Sequence, residues 1–166
     1  AAMLERVALI HRQTGSPAIA EQYIAGREIY VSVLGNERLQ TSNAWELHLE
    51  HLPEGAPNIA TSRLKWDYAH QEKMGMKTRP AELDAEQRKQ LDQLTKRIYR
   101  TLHLSGYARM DFRMSPEGRF YLLEANPNPC ISFGEDFAEA MESAGMSYEQ
   151  LLDRMLRLGL SYRGVT

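Results

Sequence analysis

Cysteine is almost absent from this sequence, in which Cys130 is the single example among 166 residues. One cysteine excludes a disulfide within the chain, which fits a reducing compartment, and we expect a cytoplasmic protein. Long apolar runs are missing as well, since no stretch approaches the roughly 20 residues of a membrane-spanning helix. Acidic and basic residues interrupt the first apolar stretch, so we expect neither a signal peptide nor a membrane partner.

A surplus of one charge is also lacking, because 20 Lys and Arg stand against 22 Asp and Glu. Nucleic-acid-binding proteins usually carry a basic surplus, so we expect no nucleic-acid partner. The histidines form no zinc motif, because His48 and His51 lack the helical H-E-x-x-H context. What is present is an ordinary globular composition, 43% hydrophobic and 25% charged, with enough residues for one compact domain.

The first part of the chain predicts a helix followed by strands. Helical spacing of apolar residues ends near Thr14, where Gly15 and Pro17 prevent continuation. Polar and apolar alternation and the hairpin signal Gly35-Asn36 indicate the strands. They are expected at residues 18–24, at residues 28–34 as a half-buried strand, and once or twice within residues 38–50.

Residues 51–82 hold several Pro and Gly residues and little periodicity, apart from a possible short helix or strand around residues 62–68. We therefore predict mostly a long loop of the kind that is often functional. The best helix follows Asp84, which forms a capping-box pattern with Gln87. A β-hairpin, two further helices and the strands above indicate an α+β fold, a mainly antiparallel sheet with packed helices. The hairpin covers residues 107–125, and the two helices are expected at about residues 135–144 and 147–159.

The hairpin gathers polar side chains on one face. Its strands read YARMDFRM and RFYLLEANP, and residues two apart share a face of a strand. Arg109 and Asp111 therefore point one way, as do Glu124 and Asn126. We predict the register that pairs Asp111 with Glu124, because a slip of one residue would put these carboxylates on opposite faces.

Two carboxylates and an amide oxygen on one face suit Mg²⁺, which prefers oxygen ligands and phosphates. Arg109 beside them has the planar fork that binds a phosphate or an acyl phosphate. The same pattern also fits a solvated sheet face on which acidic and basic residues alternate. The hairpin alone leaves both interpretations open.

Three stretches, in this order, resemble the carboxy-terminal half of D-alanine–D-alanine ligases and related ATP-grasp ligases. They are EQYIAGREIYVSVLGNE, GYARMDFRMSPEGRFYLLEANPNP and AGMSYEQLLDRMLRLGL. The resemblance implies an ATP-grasp carboxy-terminal domain over residues 1–166, with residues 1–27 belonging to the end of the central ATP-binding subdomain. It also implies a fragment that lacks the phosphate loop and the amino-terminal domain.

The same resemblance implies ATP and one or two Mg²⁺ ions as cofactors, with Mn²⁺ as the alternative metal. It assigns metal ligation to Asp111, Glu124 and Asn126, and contact with the reacting phosphoryl and acyl groups to Arg109. Lys65, in RLKWDY, resembles a loop lysine that reaches the phosphates, although a lone lysine in a loop is more often only solvated.

The resemblance also implies a nucleotide site. Glu28 matches an acidic residue that accepts hydrogen bonds from the ribose hydroxyls, and the alternative for Glu21 and Glu28 is a pair of exposed charges at strand ends. The adenine would lie against Glu21, Gln22, Tyr23, Ile24 and Leu123. Gln22 departs from the lysine that is common in the family.

The implied activity is that of an ATP-dependent carboxylate–amine ligase that acts through an acyl phosphate, with ATP and a small-molecule carboxylate and amine as partners. Glu135 stands where family members carry the serine that binds the acceptor, so the acceptor itself is open, as is homo-oligomerisation. The fragment alone is expected to be inactive. Two alternatives remain: a related ligase with a hydroxyl or thiol acceptor, and a non-catalytic nucleotide-binding or interaction module of the same fold.

Overall fold

The structure, a computed structural model, describes residues 2–162, so the ends of the predicted 1–166 domain lie outside the described residues. Its helices are α1 (Ala2–Thr14), α2 (Ser62–Trp66), α3 (Tyr68–Met74), α4 (Ala85–Thr101), α5 (Asp136–Ser143) and α6 (Tyr148–Leu160). Its strands are β1 (Arg27–Leu34), β2 (Gln40–Thr41), β3 (Trp45–Leu49), β4 (Met76–Pro80), β5 (Tyr107–Met114) and β6 (Phe120–Asn126).

The strands form one antiparallel sheet in the order β4-β3-β1-β5-β6, with the short β2 paired to β1. β1 and β5 are its centre and pair along their whole length, from Arg27 opposite Met114 to Leu34 opposite Tyr107. The predicted α+β class with a mainly antiparallel sheet is confirmed.

One face of the sheet is apolar and packs against α4. It consists of the alternate residues of β1 and β5 together with one side of the helix: Ile29, Val31, Val33, Ala108, Met110, Phe112, Met114, Leu91 and Tyr99. The predicted capping box begins α4, because the Asp84 carboxylate accepts from Gln87 N and the Gln87 side chain accepts from Asp84 N. This face is the main hydrophobic core.

The other face is polar in its middle and is covered at one end. There α5 and α6 pack on the end of β1 through Leu34, Phe137, Met141 and Leu151. Because Glu28 and Tyr30 of β1 and Asp111 and Arg113 of β5 point to this face, charged side chains lie beside the covered end. The sheet thus presents a core on one side and a polar strip on the other.

Three sequence predictions are corrected by the structure. Residues 18–24 form no strand, because this segment pairs with no neighbouring strand in the described chain. The strand predicted at residues 28–34 is buried on both faces and not on one. The helix α4 covers its apolar face, and α5, α6 and the ion pair of Glu28 with Arg113 cover its polar face. Residues 51–82, predicted mostly as a loop, contain α2 where a short helix or strand was considered possible. They also contain α3 and β4, elements too short for their periodicity to be recognised.

The remaining helices lie near their predicted bounds. α1 ends at Thr14, α5 spans Asp136–Ser143, and α6 begins after a Ser147–Gln150 capping box. α1 contains no buried residue, unlike α4, α5 and α6. Across residues 2–162, none of the helices combines the length and apolar character that crossing a membrane requires.

Candidate nucleotide and metal site

The hairpin β5–β6 has the predicted register at its open end. Asp111 pairs with Glu124 and Arg109 pairs with Asn126, so these four residues share the polar face. Toward the turn the register shifts by one residue, since Phe112 pairs with Leu122 and Leu123 is left as a bulge. A bulge adds one residue to one strand and re-aims the side chains around it, and this one lies beside the predicted metal ligands.

Asp111 and Arg109 form a bidentate ion pair on this face. Arg109 Nε and Nη2 donate to the two carboxylate oxygens of Asp111 at 2.8 and 2.9 Å, and the guanidinium lies 4.8 Å from the centre of the Tyr30 ring. Burial alone would lower the pKa of Arg109, but the hydrogen bonds and charge of Asp111 outweigh it, so the pKa is raised. Arg109 is therefore a permanent cation.

A second carboxylate approaches the same guanidinium from α5. Asp136 Oδ2 lies 3.9 Å from Arg109 Nη1, and Asp136 Oδ1 accepts from the hydroxyl of Thr78 at 2.6 Å. Glu135, which the sequence aligned with the acceptor-binding serine of the family, is exposed, and its neighbour Asp136 is the residue that faces the arginine. Arg109 is thus held between carboxylates from a strand and a helix.

The other two predicted metal ligands are more accessible. Glu124 is exposed on the edge strand, and Asn126 Oδ1 accepts from Asn128 N at 2.9 Å, which fixes the amide while leaving its oxygen a second lone pair. Within residues 2–162, no group of three or more His, Cys, Asp or Glu side chains is placed to hold a metal ion. The available set of two carboxylates and one amide oxygen fits Mg²⁺, which normally completes its shell with water and substrate phosphates.

A cleft of about 450 Å³ opens on the polar face between the hairpin and the segment that precedes β1. Its lining includes nine of the residues that the sequence singled out: Glu21, Gln22, Tyr23, Ile24, Glu28, Lys65, Asp111, Leu123 and Glu124. Arg109 and Asn126 are not among its lining residues, and they continue the polar face toward α5. The predicted nucleotide and metal residues are therefore neighbours in space, although about 100 residues separate them in sequence.

The base of the cleft is a buried ionic network. Glu28 is only 6% exposed, and its carboxylate accepts from Tyr30 Oη at 2.9 Å and from Arg113 Nη1 at 3.2 Å. Burial, and after it the charge of Glu28, raises the pKa of Tyr30, so the phenol remains a donor. The alternative that Glu28 is an exposed charge at a strand end is wrong, whereas Glu21 is exposed.

One predicted residue, Lys65, occupies different surroundings from those expected. Lys65 lies on the short helix α2 instead of a loop, and Trp66 after it is 83% exposed. α2 begins where the Thr61 hydroxyl accepts from Leu64 N, and it turns Lys65 toward the cleft. Cys130 is an exposed free thiol, 3.4 Å from the hydroxyl of Ser132.

Sequence reasoning missed Tyr30, Thr78, Asp136 and Arg113 as members of this site. Three of them had no recognisable motif. Arg113 had one available signal, because it continues the alternation of Arg109 and Asp111 on β5 and therefore had to point to the same face.

The antiparallel sheet with its packed helices is the fold of an ATP-grasp carboxy-terminal domain, and it matches solved structures of D-alanine–D-alanine ligases. A D-alanine–D-alanine ligase from Bacillus anthracis, complexed with ATP, superposes with a TM-score of 0.74 at 20% identity. The match covers 96% of this chain and 46% of that one. The VanG D-Ala:D-Ser ligase from Enterococcus faecalis has a TM-score of 0.64 at 26% identity, covering 83% of this chain and 37% of the other.

Residues 3–157 match the family model described as D-ala D-ala ligase C-terminus, and the chain belongs to that family. A D-alanine–D-alanine ligase of Desulfotalea psychrophila is 30% identical over 86% of this chain and 42% of its own length. The vancomycin/teicoplanin A-type resistance protein VanA of Enterococcus faecium is 30% identical over 90% of this chain and 42% of its own length. The chain thus spans less than half the length of these curated relatives.

Proposed function

We propose that this chain is the carboxy-terminal part of an ATP-dependent carboxylate–amine ligase, and that its cleft holds the nucleotide and metal. The observation that carries the proposal is the single cleft that joins residues 21–24 and Glu28 to Asp111 and Glu124. Neither the composition nor the hydrophobic periodicity of the chain requires these segments to lie beside one another in the folded structure. An ATP site needs both an apolar slot and carboxylates that can bind a metal, and the apolar walls and two carboxylates of this cleft support that role.

Adenine would lie between residues 21–24 and the bulged strand β6, with Ile24 and Leu123 against the ring. The bulge supports this placement, because Tyr121, Leu122 and Leu123 all line the cleft. Glu28 would receive the ribose, since each of its oxygens accepts one hydrogen bond in the structure and has a lone pair left.

The phosphates would extend toward the carboxylates and Lys65. Asp111, Glu124 and Asn126 would hold one or two Mg²⁺ ions, which would neutralise negative charge on the phosphate oxygens. Arg109 would contact the transferring phosphoryl group through its guanidinium, kept in place by Asp111 and Asp136. Lys65 would add a mobile positive charge at the mouth of the cleft.

The whole protein would form an amide in two steps. A substrate carboxylate oxygen takes the γ-phosphoryl group of ATP, with ADP leaving, and an amine nitrogen then attacks the acyl carbon, with inorganic phosphate leaving. Residues 1–27 would belong to the end of the central ATP-binding subdomain, which the absence of any buried residue in α1 supports. The phosphate loop and the carboxylate-binding region would be supplied by chain outside these 166 residues.

Isotope transfer in the full-length protein tests this mechanism. A carboxylate substrate labelled with ¹⁸O in its carboxyl group is incubated with Mg-ATP and an amine, with D-alanine as the first carboxylate because named relatives are D-alanine ligases. An acyl phosphate predicts one ¹⁸O atom in the released inorganic phosphate and ADP as the nucleotide product. Label in AMP would indicate an acyl adenylate and would overturn the proposal.

A further inference from the structure

Arg113 is the largest fully buried side chain of the described residues, at 2% exposure. A guanidinium is always charged, so its burial requires a hydrogen-bond partner for each of its nitrogens. It lies on β5 two residues beyond Asp111, on the same polar face. Its partners therefore decide what it does beside the cleft.

The three nitrogens of Arg113 reach three separate parts of the chain. Nε donates to the carbonyl oxygen of Ile24 at 2.9 Å, Nη1 donates to Glu28 at 3.2 Å, and Nη2 donates to the carbonyl oxygen of Asn58. Each of the three parts contributes to the lining of the cleft, through residues 21–24, Glu28, and Ile59 with Ala60. One side chain thus ties three walls of the cleft to the central strand.

The segment of residues 20–25, which we call the nucleotide segment, has little else to hold it. It lies in no helix or strand and forms no backbone–backbone hydrogen bond in the part of the chain that the structure describes. Tyr23 in this segment stacks near the guanidinium, whose central carbon lies 5.6 Å from the ring centroid. Gly26 then brings the chain against β5, where a Cβ would meet the carbonyl oxygen of Met114 at 2.0 Å.

We infer that Arg113 is a positioning residue for the adenosine end of the nucleotide, acting by fixing the nucleotide segment and Glu28 before ATP binds. The inference rests on the proposed function, because it takes these residues as the adenosine contacts. Fixing the segment in advance removes an ordering cost from binding. Among the described residues, the hydrogen bonds of Arg113 reach none of Asp111, Glu124 and Lys65, so we expect its main effect at the adenosine end of the ligand.

The variant Arg113→Lys tests this, because lysine keeps the charge and can pair with Glu28 but lacks the fork that reaches three partners. Arg119→Lys, at an exposed position in the same hairpin, is the matched control. NMR backbone order parameters of the 166-residue chain measure the nucleotide segment directly. We expect values to fall from about 0.85 to below about 0.6 at residues 20–25 in Arg113→Lys, with α4 unchanged.

Titrations with Mg-ATP and with Mg-tripolyphosphate, followed in the same spectra, separate the two ends of the ligand. We expect Arg113→Lys to weaken ATP binding about tenfold and tripolyphosphate binding by less than about twofold. Equal weakening of both ligands, or an ordered nucleotide segment in Arg113→Lys, would overturn the inference. If the unaltered chain bound Mg-tripolyphosphate as tightly as Mg-ATP, the adenosine would add no affinity and the proposed nucleotide site would be wrong. The order parameters would still decide whether Arg113 holds the nucleotide segment.

If Arg113→Lys does not fold, the double variant Arg113→Gln with Glu28→Gln replaces it. Removing both charges leaves no unpaired buried carboxylate, so the fold is expected to survive. The nucleotide segment is again expected to lose order, because glutamine cannot reach the carbonyls of Ile24 and Asn58 together. Retained order at residues 20–25 in the double variant would contradict the role of Arg113.

Discussion

At the scale of single residues, the two paired carboxylates of the hairpin differ sharply in burial. Asp111 is 5% exposed and bound to Arg109, whereas Glu124 is exposed on the edge strand. We expect Glu124→Gln to change the free energy of unfolding by less than about 0.5 kcal/mol relative to the unaltered chain, as is typical of a surface substitution. We expect it to abolish ligase activity in the full-length protein, because it removes a proposed metal ligand.

Asp111→Asn is the contrasting variant. It removes the main partner of a largely buried arginine, so we expect a loss of about 3 kcal/mol in the free energy of unfolding as well as a loss of activity. Urea denaturation of both variants, beside turnover at saturating Mg²⁺, measures the two effects separately. Near-normal turnover by Glu124→Gln would count decisively against its role as a ligand.

Tyr99 gives a prediction about pH. Burial raises its pKa to about 12, and its hydroxyl donates to the carbonyl oxygen of Gly35 at 2.8 Å. Since the unfolded pKa is about 10, the neutral phenol stabilises the fold below pH 10, and this stabilisation is lost as the pH rises toward 12. Tyr99→Phe should cost about 1–2 kcal/mol at pH 7, because the Gly35 carbonyl loses its partner.

The difference between Tyr99→Phe and the unaltered chain should therefore shrink between pH 10 and pH 12. Urea denaturation at a series of pH values measures it, with Tyr162→Phe at an exposed position as the control. A difference in the free energy of unfolding that stays constant from pH 10 to pH 12 would show that ionisation of Tyr99 is not coupled to folding.

At the scale of elements, the sequence was informative where chemistry or periodicity was strong. The capping boxes at Asp84 and Ser147 set the starts of α4 and α6, and the i, i+2 spacing on β5 and β6 correctly predicted the paired carboxylates. The bulge at Leu123 was not predicted, because nothing in the run of apolar residues marks which one is unpaired.

The helices that the sequence left open or missed share a physical cause. α2 and α3 have five and seven residues, so neither completes two turns, and their starts depend on single caps at Thr61 and Asp67. Residues 18–24 show the opposite error, because their pattern predicted a strand but the segment pairs with no other strand in the described residues. Local patterns cannot report whether a partner is present.

The cap of α4 can be tested directly. Asp84→Ala removes the oxygen that accepts from Gln87 N, and we expect a loss of about 1 kcal/mol in the free energy of unfolding. Gln93→Ala, at an exposed position within the same helix, should change it by less than about 0.5 kcal/mol. Equal effects from both variants in urea denaturation would mean that the cap does not stabilise α4.

At the scale of the whole molecule, one sheet separates two kinds of chemistry. The face toward α4 is an apolar core, and the opposite face carries the ionic network and the cleft. A triphosphate in this cleft would lie largely in water, because the proposed phosphate loop is outside these residues. Its charges would be screened and its ordering would be poorly compensated.

Calorimetric titration of the 166-residue chain with Mg-ATP, beside Glu124→Gln, tests the central claim that this cleft is the nucleotide and metal half of a ligase site. We expect binding weaker than about 100 μM, because one lobe supplies only part of the contacts. We expect it to require Mg²⁺ and to weaken further in Glu124→Gln. Micromolar or tighter binding, or binding that neither Mg²⁺ nor Glu124 affects, would contradict the account.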